Sequence, residues 1–291
     1  MWTRALSEVS ASDVVTAGGK GASLGEMMRA GIPVPDGFVV LAGAFDACVH
    51  EGRDGSVEVS VPSEIAFEVL ASFDALEAPF VAVRSSATAE DGAKAAWAGQ
   101  LETYLYTTRE TLMHNIMQCW QSLFSARATA YRAHQGQEQE EISVAVVVQK
   151  MVPSEVSGVA FSLHPVTGSR EHMVIEAAYG LGEAVVSGEV TPDMYIIEKA
   201  TGKVLEATVH EQDRQVGEKA RGGTEWLPVP EKIRGEQKLS ADDIAELALL
   251  VGKIERYNGF PCDVEWAKSA GRFFILQSRP ITTVSCVLSG P

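Results

Sequence analysis

The stretch that most narrows what this chain can fold into lies near its end. Asp263-Val264-Glu265-Trp266-Ala267-Lys268 and Arg272-Phe273-Phe274-Ile275-Leu276-Gln277-Ser278-Arg279 flank the turn residues Ser269-Ala270-Gly271, a pattern that predicts a β-hairpin. Alternate residues of a strand share a face. Asp263, Glu265 and Ala267 therefore lie together, and Phe273, Ile275, Gln277 and Arg279 share one face of the partner strand. Two registers are open. If Lys268 pairs with Arg272, Glu265 opposes Ile275 and Asp263 opposes Gln277; with a longer loop, Glu265 opposes Gln277 directly. Either way a carboxylate, an amide oxygen and an arginine gather on one side. Mg²⁺ takes such oxygens, with one or two protein ligands plus phosphates. The plainer reading is a cross-strand polar pair with an exposed arginine.

The rest of the chain alternates helical and strand signals. Ala17-Gly18-Gly19-Lys20-Gly21-Ala22-Ser23-Leu24-Gly25-Glu26-Met27-Met28 reads as a glycine-rich turn entering a short helix, stopped by Gly31 and Pro33. Phe80-Val81-Ala82-Val83-Arg84 is a short buried strand leading into the small polar run Ser85-Ser86-Ala87-Thr88. Residues 50–62 read as a surface loop. Residues 111–132 carry a helical stripe of Leu112, Ile116, Trp120, Leu123, Phe124 and Tyr131. Residues 142–148 are β-branched and read as a central strand, with residues 156–161 and 173–177 as further strands of the same sheet. Residues 201–236 suggest hairpins and loops. Ser240, with Asp243 three residues on, opens a strong helix that Gly259 closes. Its apolar stripe is Ile244, Leu247, Leu250, Val251, Ile254 and Tyr257. This order of elements indicates an α+β or mixed fold in two lobes.

Composition bounds the partners. Basic residues number 24 and acidic residues 39, a formal net charge of −15. That balance argues against a broad nucleic-acid or anionic-membrane surface, which needs a positive footprint. It leaves room for a small anion in a local positive pocket. Cys48, Cys119, Cys262 and Cys286 are scattered without a CxxC pair, which fits a reduced compartment. The N-terminus lacks the apolar core of a secretory signal. The expectation is a cytoplasmic protein.

Several nucleotide and catalytic signatures are absent from the sequence: Gly19-Lys20 lacks the spacing of a Walker loop, and there is no GxGxxG, HExxH or GxSxG pattern. Lys20, among glycines at a helix start, is either a phosphate contact or a solvated turn lysine. Arg84, at a strand end, is salt-bridged or aimed at a ligand. Gly99 in Trp97-Ala98-Gly99-Gln100 would let backbone approach a phosphate, and Thr103 offers a hydroxyl, although spacing alone favours a plain β-turn. His164 before Pro165 reads as structural.

These pieces, in this order, resemble the nucleotide-binding domain of the phosphoenolpyruvate synthase, pyruvate phosphate dikinase and rifamycin phosphotransferase family. The resemblance rests on Gly18-Gly19-Lys20-Gly21-Ala22-Ser23-Leu24-Gly25-Glu26-Met27, Val83-Arg84-Ser85-Ser86-Ala87-Thr88-Ala89-Glu90-Asp91, Ala98-Gly99-Gln100, Gly180-Leu181-Gly182-Glu183 and Gln277-Ser278-Arg279-Pro280-Ile281-Thr282-Thr283. Val146-Val147-Val148-Gln149-Lys150-Met151-Val152 and Ala184-Val185-Val186-Ser187-Gly188 look most like the rifamycin phosphotransferase branch.

The resemblance implies an α+β, ATP-grasp-like fold of two lobes with the nucleotide cleft between them, the lobes spanning residues 1–105 and 106–284 before a tail at 285–291. It implies ATP and Mg²⁺ as ligands. Lys20, Arg84 and Arg279 would hold phosphates and serve catalysis, and Gly99 and Thr103 would lie along the phosphate chain. Gln149 would face the adenine, with backbone from Lys150, Met151 and Val152. Glu265 and Gln277 would ligate the metal. The implied activity donates the β-phosphoryl of ATP to a histidine and releases AMP. None of the six histidines sits in a Gly-x-Thr-Ser-His-type motif, so that histidine would belong to a separate chain or domain. The rival readings are a carboxylate-activating ligase and a non-catalytic ATP-binding module. Two departures stand out: residues 92–97 replace a Leu-Pro and Ser-Phe pattern, and His164 stands where an aspartate is usual.

Overall fold

The computed structural model describes residues 1–51, 57–88, 102–125, 128 and 142–281. The expected turn with Gly99, the helical end with Tyr131 and the tail lie outside these residues. The chain forms two compact units: Met1–Arg29, Pro35–Met151 and Lys219–Gly223 make the first, and Ala30–Val34, Val152–Glu218 and Thr224–Pro291 the second. The expected boundary at 105/106 thus falls inside unit 1. The strand at residues 144–150 hydrogen-bonds to the strands at residues 37–40 and 81–87, both before that boundary, and this pairing holds the segment in unit 1.

Unit 1 is built on a five-stranded antiparallel sheet. Its strands are β1 (Thr3–Ala5), β2 (Gly37–Val40), β5 (Val81–Ala87), β6 (Thr103–Thr107) and β7 (Val144–Lys150), in the order β1-β2-β7-β5-β6. A short pair, β3 (Val49–Glu51) and β4 (Val57–Val59), occupies part of the segment expected as loop. Helix α1 (Val14–Arg29) packs on one face of the main sheet. Helices α2 (Ala42–Cys48), α3 (Ser63–Ala75) and α4 (Leu112–Gln121) cover the other. β7 has both faces covered, which is why it reads as an unbroken apolar run. Val144, Val146 and Val148 enter a core with Phe45, Ile65, Val69, Ile116 and Trp120.

Unit 2 carries a six-stranded antiparallel sheet in the order β11-β10-β9-β8-β14-β15. The strands are β8 (Val156–Phe161), β9 (His172–Tyr179), β10 (Asp193–Glu198), β11 (Val204–Thr208), β14 (Cys262–Ser269) and β15 (Arg272–Pro280). β8 and β9 therefore belong to a different sheet from β7, contrary to expectation. The apolar runs looked alike, and hydrogen-bond pairing, invisible in composition, separates them. A hairpin of β12 (Arg214–Glu218) and β13 (Thr224–Pro228) and a one-turn helix α5 (Glu183–Val186) complete the smaller elements.

Helix α6 (Ala241–Asn258) begins and ends as its sequence predicts. Asp243 N donates to Ser240 Oγ, Ser240 N donates back to Asp243 Oδ2, and Gly259 closes the helix at φ 78°. Ile244, Leu247, Val251 and Ile254 are buried. Tyr257, expected in that stripe, is 47% exposed, because the stripe drifts off the contact face in the last turn.

Candidate active site

In unit 1 the site residues gather around one break in α1. Gly18 has φ 70° and ψ 170°, so helical geometry restarts at Gly19 and places Lys20 in a first turn. Ser86, on β5, bridges the break: its Oγ donates to Ala17 O at 2.9 Å and accepts from Gly21 N at 3.1 Å. A Cβ at Gly18 would stand 2.2 Å from Ser86 O and Oγ, so only glycine fits. Lys20 Nζ donates to Ser85 O at 3.0 Å, which fixes the ammonium beside the residue after Arg84. Arg84 is buried at 8% exposure and lies opposite Thr103 on β6. The structure thus brings Lys20, Arg84 and Thr103 together around the β5 backbone. Their spacing in sequence gave no such distance.

The residues expected at the base are more constrained than the resemblance implied. Gln149 is 2% exposed, and its Nε2 donates to Pro35 O at 3.1 Å. Lys150 N donates to Asp36 O at 2.8 Å and Met151 N to Phe80 O at 3.1 Å. These two N–H groups are committed to unit 1 and are not donors to a base unless those bonds break. Lys150 Nζ pairs with Asp36 at 3.2 Å. Val152 opens the next segment of unit 2.

In unit 2 the hairpin resolves the register left open by the sequence. Ser269 pairs with Arg272 around a two-residue loop, and Trp266 pairs with Ile275. A bulge at Leu276 then shifts the pairing, so Glu265 faces Gln277 and Asp263 faces Arg279. The expectation that Phe273, Ile275, Gln277 and Arg279 share one face is corrected by that extra residue. Phe273 and Ile275 point with Trp266 into the core, where Trp266 and Phe273 meet edge to face at 5.6 Å. Gln277 and Arg279 turn to the opposite side with Glu265 and Asp263. A bulge re-aims side chains in this way.

Arg279 is held by a partner that the sequence reading placed on this face but gave no role. Its Nε and Nη2 lie 2.8 and 2.7 Å from Asp263 Oδ2. Burial pushes the Asp263 carboxyl above the usual carboxylate range; Arg279 pulls it down and Glu265 pushes it further up. Glu176 on β9 is also raised, by burial and then by the charge of Asp263. Asp263, Glu265 and Glu176 thus bring like charges together on the face that holds Arg279, and a bound cation would ease their repulsion. Glu176 lay in a run read only as buried strand; its polarity at an alternate position was the available signal.

The donor set fits a magnesium ion. Glu265 and Gln277 offer a carboxylate and an amide oxygen from directly opposed positions. Among the described residues no group of three or more His, Cys, Asp or Glu is arranged to hold a metal alone, so phosphate oxygens would complete the shell, as Mg²⁺ prefers. Among the same residues no helix is long and apolar enough to cross a membrane.

His164 also finds its explanation. Its Nδ1 accepts from Val166 N at 3.3 Å and Thr167 N at 3.4 Å. The ring acts as the turn-stabilising acceptor that an aspartate supplies by its carboxylate.

Comparison with known proteins shows the family of the chain. The family described as "Pyruvate phosphate dikinase, AMP/ATP-binding domain" matches residues 14–56 and 53–287. The chain belongs to this family. A "Probable phosphoenolpyruvate synthase" of Archaeoglobus fulgidus is 41% identical over 96% of this chain and 41% of its own length. A second from Methanocaldococcus jannaschii is 39% identical over 96% of this chain and 26% of its own. A "Rifampicin phosphotransferase" of a Streptomyces species is 37% identical over 96% of this chain and 36% of its own. The chain therefore spans less than half the length of these relatives, and identity alone does not single out the rifamycin branch. A D-alanine–D-alanine ligase structure from Helicobacter pylori aligns with a TM-score of 0.40 at 10% identity over 88% of this chain and 51% of its own, too loosely to argue from.

Proposed function

We propose that this chain is the ATP-binding, phosphoryl-donating part of a dikinase-type phosphotransferase. The observation that carries the reading is the bulged hairpin, which sets Glu265 against Gln277 and Arg279 against Asp263 on one face. Lys20, Arg84 and Arg279 take phosphate oxygens, and Thr103 lies along the phosphate chain. Glu265 and Gln277 hold Mg²⁺, which when bound neutralises charge on the phosphates. Positioning and charge neutralisation dominate catalysis of phosphoryl transfer.

The acceptor is a histidine on a separate domain or partner. Its ring nitrogen attacks the β-phosphorus, the bond from that phosphorus to the α–β bridging oxygen breaks, and AMP leaves with that oxygen. The histidine then carries two phosphoryl groups, of which the outer passes to water or another acceptor. Lys20 and Arg279, as fixed cations, offset charge on the oxygens during the transfer.

The test mixes the chain with ATP, Mg²⁺ and a separately prepared histidine domain from a relative. Phosphohistidine and AMP are expected in equal amounts, and both vanish with Glu265→Ala. ATP bound without either product overturns the proposed transfer.

A further inference from the structure

One row of residues crosses the whole face of the unit 2 sheet that carries Glu265. Pairing runs from Gln277 to Glu265, from Glu265 to Val159, from Val159 to Glu176, from Glu176 to Met194 and from Met194 to Thr208. Directly paired residues share a face. This face is the one turned away from α6, because Lys268 and Cys262, on the other parity of β14, contact Asp243 and Asn258 of that helix. Glu176 therefore lies on the metal-binding face, two strands from Glu265, at about 10 Å along the row.

Two polar residues of this row have no role in the proposed site: Thr208, at the far edge, whose Oγ1 donates to Glu206 Oε1 at 3.3 Å, and Glu176. Glu176 is half-buried, and its side chain takes part in no hydrogen bond or ion pair with the described residues. Its row neighbours Val159 and Met194 have no donors to offer. The charge that reaches it is that of Asp263. A carboxylate in this setting repels phosphate and lacks donors. What complements it is a neutral group that donates two adjacent hydrogen bonds. An ATP whose phosphates sit at Glu265 and Gln277 carries such a group one linker away, in the two hydroxyls of its ribose.

We infer that Glu176 accepts the ribose diol of the bound nucleotide and sets a preference for ribonucleotides. The inference rests on the proposed ATP site and deepens it. Hydrogen bonds to a charged acceptor make a preference of roughly tenfold or more.

The test titrates the full chain, with Mg²⁺, against ATP, 2′,3′-dideoxy-ATP and inorganic tripolyphosphate, and repeats the series with Glu176→Gln. Wild type is expected to bind ATP at least tenfold more tightly than the dideoxy analogue. The variant closes that gap and keeps its affinity for tripolyphosphate. Equal binding of the two nucleotides by wild type overturns the inference without needing the variant. A gap that persists in Glu176→Gln, or a loss of tripolyphosphate binding, overturns it too. In those cases ATP still binds; failure of wild type to bind ATP at all would instead sink the proposed site itself.

Discussion

At Gly18 two demands fall on one residue. The backbone sits in a region open essentially to glycine alone, and the space a Cβ would need belongs to Ser86. Gly18→Ala is expected to destabilise the protein by about 3 kcal/mol or more, since strain and a backbone clash add; chemical denaturation measures it. Glu68 is a different kind of anchor. Its Oε1 accepts from Trp2 N, from Thr3 N at 2.7 Å and from Thr3 Oγ1 at 3.1 Å. Burial raises its pKa, but these hydrogen bonds outweigh burial and the net shift is downward. A depressed folded-state pKa contributes stability above the unfolded value, about 4.3 for glutamate, and loses it as pH falls through the folded value. The acid limb of a stability–pH curve is therefore expected to flatten in Glu68→Gln, with little change in its slope near pH 7.

Among elements, β10 is tied to its loops by a fully buried ion pair. Asp193 accepts from Lys238 Nζ at 2.9 Å, Lys238 N at 2.9 Å, His210 N at 3.0 Å and Tyr195 OH at 2.8 Å. Lys238 Nζ also donates to His210 O, and both charged side chains are wholly buried. Removing one partner leaves the other charge buried. Lys238→Met is expected to lower stability by about 3–5 kcal/mol, seen as a lower urea midpoint at unchanged m-value. Gln212 extends this region toward Gly180-Leu181-Gly182: it accepts from Tyr179 N and donates to Tyr179 O. Helix α6 shows the opposite case, an element whose limits need no tertiary help. Ser240, Asp243 and Gly259 set both its ends through local hydrogen bonds and a left-handed cap, so its boundaries were legible. The bulge at Leu276 was not legible, because nothing in Phe274-Ile275-Leu276-Gln277 marks where an extra residue slips the ladder. Only the need to bury Ile275 with Trp266 while turning Gln277 the other way decides it.

For the molecule as a whole, binding is a stability measurement. A ligand that binds only the folded state stabilises it, by about 2.7 kcal/mol at one hundred times its dissociation constant. Mg²⁺ with ATP is expected to raise the thermal midpoint, and EDTA to remove most of the rise. Glu265→Ala should show a much smaller rise, while its midpoint without ligand stays near wild type because Glu265 is not fully buried. A midpoint unaffected by ATP and Mg²⁺ would contradict the site.

The sequence by itself determined the local chemistry: glycines around Lys20, alternation in the last hairpin, the caps of the long helix, and a family resemblance carried by those same residues. These are properties of neighbours along the chain, and short-range sterics and hydrogen bonds suffice to express them. Tertiary structure alone decided which sheet each apolar strand joined, that Gln149 and the Lys150 and Met151 amides serve unit 1, and that Glu176 shares a row with Glu265. Those outcomes depend on pairing between residues far apart in sequence, where many registers bury similar apolar area and only the assembled sheet selects one.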